Sequence, residues 1–433
     1  MTTKGTSAFM QKVRLWLKDP YILHIIIFLY FIIFAFIIDT PYEIYRGLVE
    51  IVFSYDLLIT DYVAVGGVGA TLVNAALVTL IFLVFMMQIQ RKASGPLIMS
   101  FWLLAGFAFF GKNIVNVWPI IFGGYLYSKF RGESFSKYAV ITALATSLGP
   151  SVTQMAMLEH IPFYPSLLIA LAFGVMIGFI MPPIAQNMLN LHNGFNLYNI
   201  GFSAGILAIL TRIFVIAIRG GEISPVFIWS YEYWLPLTIF MAILFLFLLF
   251  VGINYGENRK ENLLKLYKRS GQAPSDYYAD YGEVTYINMG ILGLFCTALM
   301  LGLRSDINGP VMGSIFTVVG FGAFGKHIKN IWPVMLGCLL AGGFRYVFFG
   351  HEPSVSLAIL LVTCLAPIPG HYGWKWGVVA GFVHLYIAKN AAAFSGGFNL
   401  YNNGLAGGFV VMLLLPIIRM LQDRKNERKE KIK

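Results

Sequence analysis

Two lysines stand in matching words inside apolar sequence. The first is Phe110-Gly-Lys112-Asn-Ile-Val-Asn116-Val-Trp-Pro119; the second is Phe324-Gly-Lys326-His-Ile-Lys-Asn330-Ile-Trp-Pro333. An ammonium at membrane depth costs several kcal/mol unless it snorkels, pairs or faces water. Lys112 and Lys326 therefore read in two ways. Each is an interfacial lysine reaching lipid headgroups, or each lines a path, where it attracts an anion or donates to a carbonyl. Asn116 and Asn330 follow them at the same distance. A second pair of words is Gly194-Phe-Asn196-Leu-Tyr198-Asn199 and Gly397-Phe-Asn399-Leu-Tyr401-Asn402. An asparagine amide left in lipid needs partners, and the glycines permit irregular backbone. That combination fits a helix start whose amides line a solute path, or a cap that holds two helices together. Upstream, Gln186 and Asn187 align with Lys389 and Asn390 and enlarge the polar patch in both copies.

The lysine words repeat at a spacing of 214 residues, as do Gly95-Pro96 and Gly309-Pro310. The asparagine words repeat at 203, so the second copy is about 11 residues shorter between motifs. Polar words repeated in one order predict an internal duplication, with the path at the interface of its halves. Leu148-Gly-Pro150 and Leu365-Ala-Pro367 also correspond, and each proline breaks or kinks its segment. Gly106 to Lys112 and Gly320 to Lys326 have phosphate-loop spacing. The Ser or Thr that should follow is Asn113 or His327, which rejects that reading.

Composition sets the solvent. Of 433 residues, 58% are hydrophobic and 12% charged, against about 25% charged in soluble domains. The net charge of +11 comes from bases between and after apolar runs, which points to a membrane surface rather than nucleic acid. Cys296, Cys338 and Cys364 lie in apolar runs with no metal spacing. No acidic residue falls deep in a long apolar run; Glu159 comes nearest, at a segment end, so a carboxylate proton relay has little support. No metal motif or nucleophile constellation emerges, His160 and His371 lie near segment ends, and neither a cofactor nor an enzymatic activity is expected.

Fourteen apolar segments are readable, near 21–39, 62–88, 95–110, 113–128, 138–157, 165–184, 196–219, 233–254, 285–303, 310–325, 330–345, 355–370, 372–390 and 398–419. Those at 95–110, 113–128, 310–325 and 330–345 have the length of half-helices or re-entrant pieces. The run Tyr21–Ile38 reads as a retained helix. Basic clusters precede the first segment, follow the second (Arg91, Lys92), span Lys129 to Lys137 and Arg259 to Arg269, and close the chain. Placing both termini in the cytoplasm puts all of them inside. The copies then run in opposite directions, with 233–254 as the linker. The domain reading is 1–58 as N-terminal segment and first helix, 59–220 as repeat 1, 221–284 as linker and basic loop, 285–420 as repeat 2 and 421–433 as basic tail. Glu257 to Arg269 is either a surface amphipathic helix or a solvated linker.

The duplicated words resemble those of an uncharacterised family of duplicated bacterial integral membrane proteins. Tyr198-Asn199-x-Gly201 and Tyr401-Asn402-x-Gly404 also resemble the late words of urea transporters, which implies an inverted-duplication architecture. Paired lysines depart from that family's pattern. The expectation is an all-α polytopic protein of the bacterial cytoplasmic membrane, made of two inverted repeats with some broken or re-entrant helices. Its partners would be the lipid bilayer and a small polar or anionic solute, in a channel or carrier, with homo-oligomer formation open. A non-transporting scaffold or sensor, and an intramembrane enzyme on a lipid-linked substrate, are the competing readings.

Overall fold

A computed structural model describes residues 3–90, 92–158, 161–219, 227–349 and 352–430. Arg91, Glu159 and His160 fall outside these residues. After α1 (Thr3–Lys18), the first half contains α2 (Pro20–Ile38), α3 (Pro41–Val52), α4 (Tyr62–Ile89), α5 (Gly95–Phe107), α6 (Trp118–Phe130), α7 (Ala139–Ala145), α8 (Gly149–Ala156), α9 (Phe163–His192) and α10 (Asn199–Arg219). The second contains α11 (Trp234–Tyr255), α12 (Arg259–Leu266), α13 (Tyr277–Tyr281), α14 (Val284–Gly302), α15 (Gly309–Gly320), α16 (Ile328–Phe349), α17 (Pro353–Leu361), α18 (Pro367–Tyr372), α19 (Trp374–Ser395) and α20 (Asn402–Glu430). Among the described residues, eight helices are long and apolar enough to cross a membrane: α2, α4, α9, α10, α11, α14, α19 and α20.

Several segments differ from expectation. The run 330–345 is not a half-helix; α16 continues for 22 residues and carries Pro333 inside its second turn, where the proline removes one backbone donor without ending the helix. The runs 95–110 and 113–128 end and start at the turn that carries Lys112, leaving α5 and α6 at 13 residues each. The runs 138–157 and 355–370 are broken. Short 3-10 stretches, Thr146–Leu148 and Val362–Leu365, precede the helix turns that hold Pro150 and Pro367. The basic stretch 257–269 supplies only the eight-residue α12. Helix α11 is more than a linker. It packs on α14 as α2 packs on α4, and Phe31 of α2 and Phe245 of α11 both meet Phe316, at 5.8 and 6.1 Å between ring centres.

The two short Gly-Pro helices are capped across the halves. Ser94 and Asn308 accept from the backbone of Leu97 and Val311, local caps for α5 and α15. Each helix also receives a carboxylate from the opposite copy. Asp276 accepts from Gly95 N at 2.8 Å, and Asp61 accepts from Gly309 N at 3.2 Å. An acceptor at a helix N-terminus satisfies a free N–H and complements the dipole.

Contacts between equivalent helices give their relative direction. A Cβ on Gly95 would stand 2.2 Å from Ala323 O, one on Gly313 2.2 Å from Gly106 O, and one on Gly309 2.7 Å from Phe109 O. Partner numbers fall as α5 advances, so α5 and α15 are antiparallel. Likewise a Cβ on Gly205 would meet Leu405 Cβ at 2.6 Å, while one on Gly408 would meet Phe202 at 2.4 Å. Helices α10 and α20 thus also cross antiparallel, at their N-terminal turns. The copies are inverted, and small residues let their backbones approach at the junction.

Candidate functional site

Both lysines sit on pinned turns. After α5 the chain reverses at Gly111 (φ 93°), and Lys112 N donates to Phe107 O at 3.2 Å; Lys326 N donates to Phe321 O at 2.9 Å. Asn116 closes the first turn, accepting from Asn113 N at 3.0 Å and donating to Gly111 O at 3.0 Å. Asn330 does the same with His327 N (2.9 Å) and Gly325 O (2.8 Å). From the long helices, Asn74 donates to Ala108 O and Lys112 O, and Asn288 to Gly322 O and Lys326 O. Asn74 and Asn288 were not read from the sequence as site residues. Their 214-residue spacing, the same as that of the lysines, is the signal that marks them.

Neither lysine reaches a membrane surface; both side chains have no solvent exposure. Lys326 Nζ donates to Tyr198 Oη at 2.5 Å and Thr363 Oγ1 at 2.7 Å. It also lies 4.3 Å above the Tyr198 ring and 4.7 Å above Phe321, a geometry that favours a cation. Tyr198 packs on Tyr401 with ring centres 4.4 Å apart, and Tyr401 packs edge-on to Phe107 at 4.9 Å. Lys112 Nζ lies 5.0 Å above that same Phe107 ring. The two lysines are thus joined through one aromatic array across the junction. Each tyrosine approaches the lysine turn of the other half. Tyr198 belongs to the first half and serves Lys326 of the second.

The asparagines mostly hold structure. Asn196 accepts from Tyr198 N at 3.0 Å and donates to Gly404 O at 2.9 Å. Asn399 accepts from Tyr401 N at 3.0 Å and donates to Gly201 O at 3.3 Å. Each shapes its own turn and clamps it to the opposite copy. Asn199 bonds His192 at 2.8 Å and Ala185 O at 2.9 Å; Asn402 accepts from Ser395 at 2.9 Å. The upstream quartet does not join the array. Gln186, Asn187 and Asn390 are exposed, Asn390 turning back to Tyr386 O, and Lys389 pairs with Glu352.

The loop between α3 and α4 is acidic, and its Asp56 and Asp61 are fully buried. Asp56 accepts from Ser54 (2.6 Å), Thr153 (2.6 Å), Asn113 (3.0 Å), Asn116 (3.0 Å) and Tyr62. Such a donor set compensates a buried charge. It ties the acidic loop to the Lys112 turn. Beside it opens a largely apolar cavity of about 580 Å³, lined by Phe53, Asn113, Asn116, Val152, Thr153 and Phe163 among others. In the second half the chain at Arg269–Gly271 occupies the corresponding place. Arg269 O accepts from His327 Nε2 at 2.8 Å, and Ser270 O accepts from Asn330 at 3.3 Å.

Fold and site together define a multi-pass, internally duplicated membrane protein with a cationic, aromatic junction. The chain belongs to the family DUF1576, a protein family of unknown function, whose sequence model matches residues 40–217 and again residues 256–420. No curated protein and no solved structure matches it.

Proposed function

We propose that this protein is a channel or carrier that moves a small anion along the junction of its two inverted halves. The observation that carries the reading is the pair of fully buried lysines with no carboxylate hydrogen-bonded to either among the described residues. Structural lysines in apolar interiors are normally paired, because an uncompensated charge there is costly. Two such charges, repeated by duplication and joined by hydroxyl-bearing rings, give a path with positive potential. The same potential disfavours cations, and the urea-like reading gives no reason for the lysines. We read the protein as a non-enzyme seated in the cytoplasmic membrane with both termini inside, since its basic clusters then share one side.

The test is flux through proteoliposomes, with chloride, nitrate, formate, acetate and bicarbonate alongside urea and ammonium. The expected result is flux of at least one anion that falls at least tenfold in the Lys112→Met/Lys326→Met double variant. Urea flux indifferent to that change would overturn the anionic reading. A correctly folded protein that moves none of these solutes would turn the interpretation toward a scaffold or sensor.

A further inference from the structure

The two halves present one scaffold in two hydrogen-bonding states. In each, a lysine lies over a phenylalanine that packs on a tyrosine at 4.9 Å: Lys326, Phe321 and Tyr198, or Lys112, Phe107 and Tyr401. In the second half the donors close on one another, Lys326 onto Tyr198 and Thr363. Around the Lys112 turn, Lys112 Nζ, Tyr401 Oη and Ser147 Oγ are all buried without a hydrogen-bond partner among the described residues. Ser151 Oγ, one helical turn beyond Ser147, is unpartnered too. These groups belong to one neighbourhood. Leu400 N donates to Ser147 O at 3.1 Å, setting Tyr401 beside Ser147. A Cβ on Gly111 would stand 2.5 Å from Leu400 Cδ2, setting the Lys112 turn against the same segment.

We propose that this cluster is a binding site for a small monovalent anion, held by the Lys112 ammonium and the hydroxyls of Tyr401 and Ser147. The assignment rests on the transport reading for its role, but on the unpartnered donors for its existence. Buried polar groups in native proteins are almost always bonded, and an unpaired one calls for a partner. Here the unpartnered groups are one cation and hydroxyls able to donate, which together suit a single negative charge. A second charge on the ligand would remain buried and unpaired. Gly111 packs closely on Leu400, and Lys112 lies over the Phe107 ring on which Tyr401 packs, so the proposed ligand is a small one. The second half differs in sequence as well as state. Cys364 stands where the first half has Ser147, and its thiol, a weak donor, lies 3.8 Å from Asn403 O. The Lys326–Tyr198–Thr363 arrangement is then the self-closed form of the site, in which the tyrosine takes the anion's place.

Thermal unfolding of the protein in nanodiscs tests this directly. Chloride, nitrate, formate and sulfate would be titrated at constant ionic strength against gluconate. At least one monovalent anion should raise the midpoint saturably, and sulfate should not. Tyr401→Phe, which keeps the ring, should weaken that anion's apparent affinity at least tenfold, Lys112→Met should abolish the shift, and Ser147→Ala should weaken it several-fold. No saturable shift with any monovalent anion, an equal shift with sulfate, or wild-type affinity in Tyr401→Phe and Ser147→Ala would overturn the site. Flux separates the two claims. Anion flux that needs Lys326 but is unaltered by Tyr401→Phe and Ser147→Ala retains the path and removes this site. Saturable anion binding without flux retains the site and removes the transport role.

Discussion

At the scale of single residues, the two copies of one word have come to do different work. Lys326 has two hydroxyl acceptors, and Lys112 has none among the described residues. Removing an unpaired buried charge relieves a desolvation cost, whereas removing a bonded one strands its partners. With gluconate as the only added anion, Lys112→Met should therefore give a more stable protein than Lys326→Met, as read from unfolding midpoints in the same detergent. Asn196 uses both ends of its amide in the interior, so Asn196→Ala should cost about 2 kcal/mol. Gln186→Ala and Asn187→Ala, on an exposed stretch of α9, should fall within about 0.5 kcal/mol of wild type. A larger loss at the exposed pair than at Asn196 would contradict these assignments. Sequence marked all these residues as special but could not sort them, because an asparagine that clamps two helices and one that lines a path have the same letters around them.

At the scale of elements, the junction depends on glycines and exchanged caps. Gly404 leaves no room for a side chain, since a Cβ there would lie 2.7 Å from Gly201 Cα. Gly404→Val should thus separate α10 from α20 and destabilise by about 3 kcal/mol or prevent folding. Gly343→Ala is the comparison, because it lies within α16 and nothing lies within 4 Å of a Cβ there; an alanine in a helix interior is favoured over glycine by about 1 kcal/mol. A fluorescent fusion read by size-exclusion should show loss of the monodisperse peak for the first variant alone. The helix starts at Gly95-Pro96 and Gly309-Pro310 were legible, as were the breaks near Pro150 and Pro367, since proline and glycine act locally. The carboxylates that complete the caps were not. Asp276 is 181 residues from Gly95, and no local pattern encodes that distance.

At the scale of the whole molecule, inversion makes equivalent elements face opposite sides. Exposed α3 follows α2 in the first half, and exposed α12 follows α11 in the second. The native cysteines are all buried, so single added cysteines at Glu50 and Lys265 can report the two sides. In intact cells an impermeant maleimide should label Glu50→Cys at once and Lys265→Cys only after permeabilisation. Labelling of both positions from outside would refute the inverted arrangement; the reverse order would place the termini outside. The halves are unlike despite their shared ancestry. The first has a cavity beside the Lys112 turn, while the chain at Arg269–Gly271 covers the equivalent turn of the second.

What the sequence alone determined was solvent, duplication and motif identity. Apolar length, the 214-residue spacing and the Gly-Pro, Gly-Lys and Gly-Phe-Asn-Leu-Tyr-Asn words are properties of residues near one another or repeated in order. Only the tertiary structure decided that Tyr198 bonds the lysine of the other half, that Asp56 and Asp61 are interior, and that Gln186 and Lys389 stand apart from the array. Those outcomes depend on which surfaces meet when two inverted copies close on each other. Pairing across the junction is set by packing and by the need of every buried polar group for a partner, and neither is written within a single segment.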